Sequence, residues 1–266
     1  MKYSFVGMSK PMKDINNLLR RGISNFRRQH PGEALPLEPS GIFAPNLSQA
    51  AAFAGDNDMG IHYSFFDVLK KSDVIFVFLG EKSLESLPLS FNKYDIKGKI
   101  FCHASPAFTS DILNVNSYNT YTSLLITACP ERESQNAGYG PLLLEGYGRR
   151  FDEFRECLDF MGVDHSVITS EEKRLYLTAM NFISDFPDII AEIGKKLMKI
   201  SLADAPEAYD KILQLMSDKS AGLTSYNALE NGDTNYLNHQ NDLMNRMGLE
   251  PINSLFKSIV NLKEQR

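Results

Sequence analysis

The chain has no tryptophan, only three cysteines and no long apolar run. Each shortage excludes something. Cys102, Cys129 and Cys157 lack metal-ligand spacing, and an odd number of cysteines does not suit a disulfide framework. Reduced thiols in a cytoplasmic protein are the expectation. No apolar stretch approaches the roughly 20 residues that span a bilayer, and the opening residues 1–7 are too short an apolar stretch for a secretory leader. A basic surplus is missing as well. With 28 Lys and Arg against 33 Asp and Glu the net charge is −5, which argues against a nucleic-acid or anionic-membrane partner. Heptads and low-complexity tracts are also lacking. What the chain does have is length and core material. It holds 266 residues, 43% of them hydrophobic, which suits one large domain or two modest ones at roughly 100–200 residues each.

The organising stretch is 72–106. Residues 74–79 (Val-Ile-Phe-Val-Phe-Leu) and 99–103 (Lys-Ile-Phe-Cys-His) are short runs rich in β-branched and aromatic residues with no polar alternation. Such runs predict strands covered on both faces, as in a parallel sheet. The chain before them reads as strand and helix in alternation. Strands are predicted at 3–7, 41–44 and 61–63. A helix begins at Pro11 and ends near Gly22, another follows Asn46 or Ser48 as N-cap, and a third covers 65–71. After a short helix at 83–89 and the strand 99–103 come strands at 122–127 and 141–145, a polar loop at 130–140, an amphipathic helix at 147–161 and a last strand at 163–168. This is a doubly wound α/β pattern. Composition shifts at Thr169-Ser170-Glu171-Glu172, a capping box. Beyond it the spacing predicts a long helix at 171–200, kinked at Pro187, and further helices at 204–217, 221–229, 234–247 and 251–263. The expected domains are therefore 1–168 and 169–266, the second all-helical.

In open α/β sheets ligands bind at the carboxyl edge, so residues delivered there are the candidates. Gly7, Ser9, Lys10, Pro11 and Met12 fill the turn where a dinucleotide fold keeps three glycines; only the first glycine is present. A phosphate at the helix N-terminus fits Ser9 and Lys10, although Pro11 removes one donor. After the second strand, where an acid binds a ribose hydroxyl or an arginine a 2′-phosphate, stands Asn46. Gly80 ends the strand 74–79. His103 and Ser105 end the next, where an imidazole can serve as acid, base or substrate clamp. On the long helix Lys173, Tyr176 and Met180 share a face and Asn181 is offset; Tyr176 and Asn181 face the cleft if that helix crosses the sheet edge. His30, His62, His165 and His239 read as surface or loop residues. No metal set is apparent.

Together, 72–80, 97–106, Leu143-Leu144-Glu145-Gly146, the helix with Lys173, Arg174, Leu175, Tyr176, Ala179 and Asn181, and the turn Asn231-Gly232-Asp233 resemble, in this order, the two-domain Rossmann-like oxidoreductases whose C-terminal helical domain is of unknown function. That family is similar in build to pyrroline-5-carboxylate reductase, ketopantoate reductase and the 6-phosphogluconate dehydrogenases. The resemblance implies a Rossmann-like, doubly wound, mostly parallel sheet followed by a helical domain like the C-terminal one of 6-phosphogluconate dehydrogenase. It also implies binding of NADP or NAD, hydride transfer involving a small-molecule substrate, and a homodimer through the helical domain. On that frame Gly7, Ser9 and Lys10 hold the phosphates, Asn46 the ribose, and Gly80 leaves room for the nicotinamide side. His103, Ser105, Tyr176 and Asn181 then line the substrate cleft. The chain departs from the family at Ser9 and Met12, at the missing basic residue after the second strand, at Pro106 in place of a glycine and at Leu177 in place of a histidine. The same fold as a cofactor-free binding or regulatory protein is the second expectation.

Overall fold

The structure, a computed structural model, describes residues 1–115, 118–126, 140–148, 150–217 and 234–264. Cys129, most of the 130–140 loop, the expected helix 221–229 and the Asn231-Gly232-Asp233 turn lie outside the described residues. Contacts divide the chain into two compact units, Met1–Ala179 and Met180–Arg266. The division falls one helix later than residue 168, because Lys173 on that helix is buried among groups of the first unit.

In the first unit eight strands form one sheet in the order β3-β2-β1-β4-β5-β6-β7-β8. They are β1 (Lys2–Val6), β2 (Glu38–Phe43), β3 (Gly60–Ile61), β4 (Val74–Val77), β5 (Ile100–His103), β6 (Thr120–Ile126), β7 (Leu142–Tyr147) and β8 (His165–Val167). Every pair is parallel except β6 with β7. The connections are α1 (Lys10–Gln29), α2 (Leu47–Asp56), α3 (Phe65–Lys71), α4 (Glu81–Phe91), a 3-10 turn at Ser110–Leu113, and α5 (Phe151–Phe160); α6 (Ser170–Met180) follows β8. The strand order reverses between β1 and β4, the point at which such sheets open a crevice at their carboxyl edge.

Local chemistry accounts for most of these bounds. Ser9 caps α1 through Met12 N–H, and Pro11 sits in its first turn, where its missing donor costs nothing. Asn46 caps α2 and Ser64 caps α3. α1 carries Met12, Ile15, Leu19, Ile23 and Phe26 as one buried stripe at helical spacing. It does not stop at Gly22. A Cβ on Gly22 would lie 2.8 Å from Val163 Cγ2, so the glycine marks a close packing contact rather than a helix end. Alternate strand residues feed two cores. Tyr3, Phe5, Phe76, Cys102 and Leu144 pack with α1, α2 and α5, while Val6, Ile75, Val77, Phe101 and Tyr121 pack with α3, α4 and the 3-10 turn. Each such side chain removed from water contributes about 1.5–3 kcal/mol before chain entropy is counted.

His62, expected at the surface, is buried and within 2.9 Å of Ser4 Oγ. The slot exists because Gly41 has no side chain: a Cβ there would meet His62 Nε2 at 2.6 Å.

The second unit comprises a π turn (Asn181–Asp185), α7 (Phe186–Ser201), α8 (Pro206–Ser217), α9 (Thr234–Arg246) and α10 (Glu250–Glu264). The kink expected at Pro187 takes the form of that π turn. Pro187 has no N–H for the carbonyl of Ile183, and its ring crowds that oxygen. The preceding turn widens, and Phe186 N–H donates to Asn181 O, five residues back. α7 leaves Ile189 and Ile190 exposed, and Phe182 and Ile183 are exposed before it. Among the described residues no helix is long and apolar enough to cross a membrane.

Candidate functional site

One row of paired residues runs along the carboxyl edge of the sheet. Phe43 pairs with Val6, Val6 with Val77, Val77 with His103, His103 with Ser123, and Ser123 with Glu145. The first four end or nearly end parallel strands. Glu145 joins the row from the middle of β7, which runs the opposite way.

Gly7 follows Val6 at φ +88°, and a Cβ on it would lie 2.2 Å from the carbonyl oxygen of Phe78. Only glycine takes that backbone conformation freely, so this turn lies close against β4. Two clefts open on either side of it. The first, about 210 Å³, is lined by Ser9, Pro11, Phe78, Gly80, Glu81 and Ser105, among others. The second, about 180 Å³, lies toward β2 and is lined by Gly7, Phe43, Pro45, Phe65, Leu87 and Tyr94, among others. Leu79 borders both. A Cβ on Gly80 would meet nothing within 4 Å, so the protein's own atoms do not require glycine there.

His103 does not face either cleft. It is fully buried, with Nε2 3.0 Å from Thr109 O and Nδ1 accepting Ser105 N–H at 3.2 Å. Those partners fix a neutral ring that carries its proton on Nε2. Burial pulls its pKa down to about 4, the hydrogen bond to Thr109 only partly opposing that, and the nearby Lys173 cation lowers it further. The expectation of an acid, base or substrate clamp is corrected on this geometry: the imidazole shapes the 103–109 loop. Two residues beyond Phe101 it lies on the same face of β5, the one that packs with the 3-10 turn, rather than over the rim.

The residues that sequence reasoning did not place are Lys173 and Glu145. Lys173 is almost completely buried, and its Nζ donates to Ser105 O at 3.1 Å, to Phe108 O and to Ser123 Oγ. An ammonium has three donors, and all three are used. Burial lowers its pKa to about 8, with the Glu145 carboxylate acting in the opposite direction. Glu145 accepts Ser110 N–H at 2.7 Å, Ser110 Oγ–H at 2.8 Å and Ser170 Oγ–H at 2.9 Å. Both buried groups thus hold several hydrogen bonds, which is the condition under which buried charge is tolerated. Both carried a signal. Glu145 is a lone charge in an otherwise apolar strand, and Lys173 sits on the inward stripe of α6.

The remaining candidates divide. Ser105 is half-buried at the first cleft; its Oγ accepts Ala107 N–H at 3.2 Å, leaving its own proton to donate. Ser9 borders the same cleft, and its Oγ is engaged as the α1 cap at 3.4 Å. Lys10 is exposed at the start of α1. Asn46 is exposed, with Oδ1 accepting Gln49 N–H at 3.1 Å. Tyr176 is half-buried one turn beyond Lys173 on the same face of α6. Asn181 is exposed and belongs to the second unit. Among the described residues no three His, Cys, Asp or Glu side chains group as a metal site would.

No protein-family model and no curated protein matches the chain. Solved structures match it in fold. A Bacteroides fragilis protein provisionally described as an NADP oxidoreductase superposes with a TM-score of 0.58 at 11% identity, covering 100% of this chain and 98% of that one. A Thermotoga maritima protein gives 0.56 at 16% identity, over 99% and 98%. An imine reductase from Myxococcus stipitatus, solved with NADP+, gives 0.54 at 13% identity, over 100% and 94%. The chain therefore has the Rossmann-like fold with a helical C-terminal part that these structures have.

Proposed function

We propose that the protein is an NAD(P)-dependent oxidoreductase of a small metabolite, with the dinucleotide lying along the rim of the first unit. The observation that carries this reading is the pair of clefts flanking Gly7 at the strand-order reversal. Apolar rings in one suit a flat base. A turn that bears no side chain suits the phosphates crossing it, and the open side of Gly80 suits the nicotinamide end. Gly7, Ser9 and Lys10 would hold the phosphates and Asn46 a ribose hydroxyl through Nδ2. A nicotinamide bound there supplies or accepts a hydride. Ser105 then offers its hydroxyl proton to the substrate, and Tyr176 is the further substrate contact of the first unit. Lys173 and His103 keep the Ser105 loop in place. The NADP+ bound to the Myxococcus neighbour supports the choice of cofactor class.

A cofactor-free binding protein on the same fold is the second reading, and three observations favour it. Pro11 lacks an N–H, Met12 N–H is already taken by Ser9, and the Glu81 carboxylate lines the cleft. Calorimetric titration with NADH and NADPH decides between the two. Binding in the micromolar range supports the oxidoreductase; no heat and no thermal stabilisation at millimolar cofactor removes it.

The exposed apolar residues Phe182, Ile183, Ile189 and Ile190 suit a homodimer through the second unit, since a contiguous exposed apolar patch usually marks an interface. Light scattering on the intact protein and on Ile189→Glu tests this; a monomeric parent would overturn it. The free thiols Cys102 and Cys157 suit a reducing cytoplasm.

A further inference from the structure

We infer that the rim beyond β2 selects a dinucleotide with a free 2′-hydroxyl, so that the protein takes NAD(H) in preference to NADP(H); this rests on the dinucleotide reading above. The second cleft is where the adenosine half must sit, because it lies on the β2 side of Gly7. Its lining is Phe43, Pro45, Phe65, Leu87, Ser90 and Tyr94 with Val6, Gly7 and Leu79, and none of these carries a charge. The chain leaving β2 reads Ala44-Pro45-Asn46-Leu47-Ser48, and α2 contains neither Lys nor Arg. α3 does carry Lys70 and Lys71, but in its last turn. Lys71 O takes the hydroxyl of Ser40 at 3.3 Å, level with the strand rather than beyond its end. Lys10 follows Ser9 at the start of α1, on the rim at β1, where it serves the phosphates that cross Gly7.

A 2′-phosphate placed at this rim carries roughly −1.5 to −2 charges and needs charge-assisted hydrogen bonds, best supplied by a guanidinium. It would find the amide of the exposed Asn46, a neutral donor, and the start of α2. One donor of that helix end is already taken, since Gln49 N–H is held by Asn46 Oδ1. A helix end so occupied is a weaker attraction than a paired cation. Placing the phosphate against Phe43, Pro45 and Phe65 strips its water without replacement. A 2′-hydroxyl meets no such cost and matches the single Asn46 amide.

The test is calorimetry on the full chain with NADH and NADPH at one ionic strength, repeated with 5′-AMP and adenosine 2′,5′-bisphosphate, and repeated on Pro45→Arg. NADH is expected to bind at least about tenfold tighter than NADPH, the worth of one charge-assisted contact, and 5′-AMP to bind tighter than the bisphosphate. Pro45→Arg is expected to shrink the NADH-to-NADPH affinity ratio at least threefold or so. NADPH equal to or tighter than NADH overturns the preference and leaves the oxidoreductase reading standing. A ratio unmoved by Pro45→Arg overturns the location beyond β2. Neither dinucleotide binding at millimolar concentration overturns both readings.

Discussion

Lys173 Nζ lies 3.1 Å from the carbonyl oxygen of Ser105, 68 residues earlier in the chain. Through it α6 fastens the loop that follows β5, and the same ammonium reaches Phe108 and Ser123. Replacing Lys173 by Met keeps the length and burial but leaves three acceptors without a donor and Glu145 without its neighbouring cation. The expected loss is about 2–4 kcal/mol. Urea unfolding followed by circular dichroism measures it, and a loss below about 0.5 kcal/mol would mean that the lysine is not a structural tie.

The same lysine sets a pH dependence. Its native pKa is about 8 against an ordinary value of 10.5. Between those values the unfolded chain still binds a proton that the native state has released, so this group's contribution rises with pH across that window and is least favourable below pH 8. The gap in stability between the parent and Lys173→Met is therefore expected to widen from pH 8 to pH 10. A gap constant over that range would place the proton elsewhere.

His103 works in the acid range. Its native pKa is about 4 against 6.5 ordinarily. As pH falls from 6.5 toward 4 the unfolded chain takes up a proton that the buried ring refuses. Stability falls by up to about 1.4 kcal/mol per pH unit from this residue. His103→Asn removes that slope while offering Thr109 O an amide donor. Burial of His62 pulls in the same direction, so a shallower but non-zero slope is expected in the variant. An unchanged slope would show that His103 is protonated when folded.

The two rim glycines are predicted to behave differently. Gly7→Ala must find room where Phe78 O lies 2.2 Å away and must hold φ +88°; a loss of about 2 kcal/mol or more is expected. Gly80→Ala meets nothing and should change stability by less than about 1 kcal/mol. Thermal melts of the two variants side by side check the contrast, and equal shifts would contradict the close approach at Gly7.

Pro187→Ala restores the N–H that the π turn does without. The turn at Asn181–Asp185 is expected to tighten to α-helix, slowing amide exchange over residues 183–187 about tenfold or more, in line with the cost of proline within helices. Exchange unchanged by the substitution would locate the cause of the widened turn elsewhere.

The parts of the fold and site that were legible in the sequence are those fixed by nearest neighbours. Asn46 and Ser9 cap helices because their side chains meet an N–H three residues further on, and apolar runs without alternation mark the central strands. Gly7, Gly80 and Ser105 reach the rim because a strand end can go nowhere else. The direction of His103 was not legible, since it depends on which face of β5 lies under the 3-10 turn. Nor was the bond of Lys173 to Ser123, a contact across 50 residues that no local period encodes. Gly22 misled for the same reason: its partner, Val163, lies far along the chain. His62 misled because the slot that accepts it is made by Gly41.

Glu145 and Leu144 lie on opposite sides of β7, which makes that strand intolerant of changes in its own length. Deleting or inserting one residue inside the strand, between Leu142 and Leu144, would exchange its two sides from there on. The carboxylate would then point into the layer that Leu144 shares with Phe76, while the amide and hydroxyl of Ser110 would face an aliphatic chain. Variation among descendants of this chain should therefore accumulate as substitutions on β7 and as length differences elsewhere.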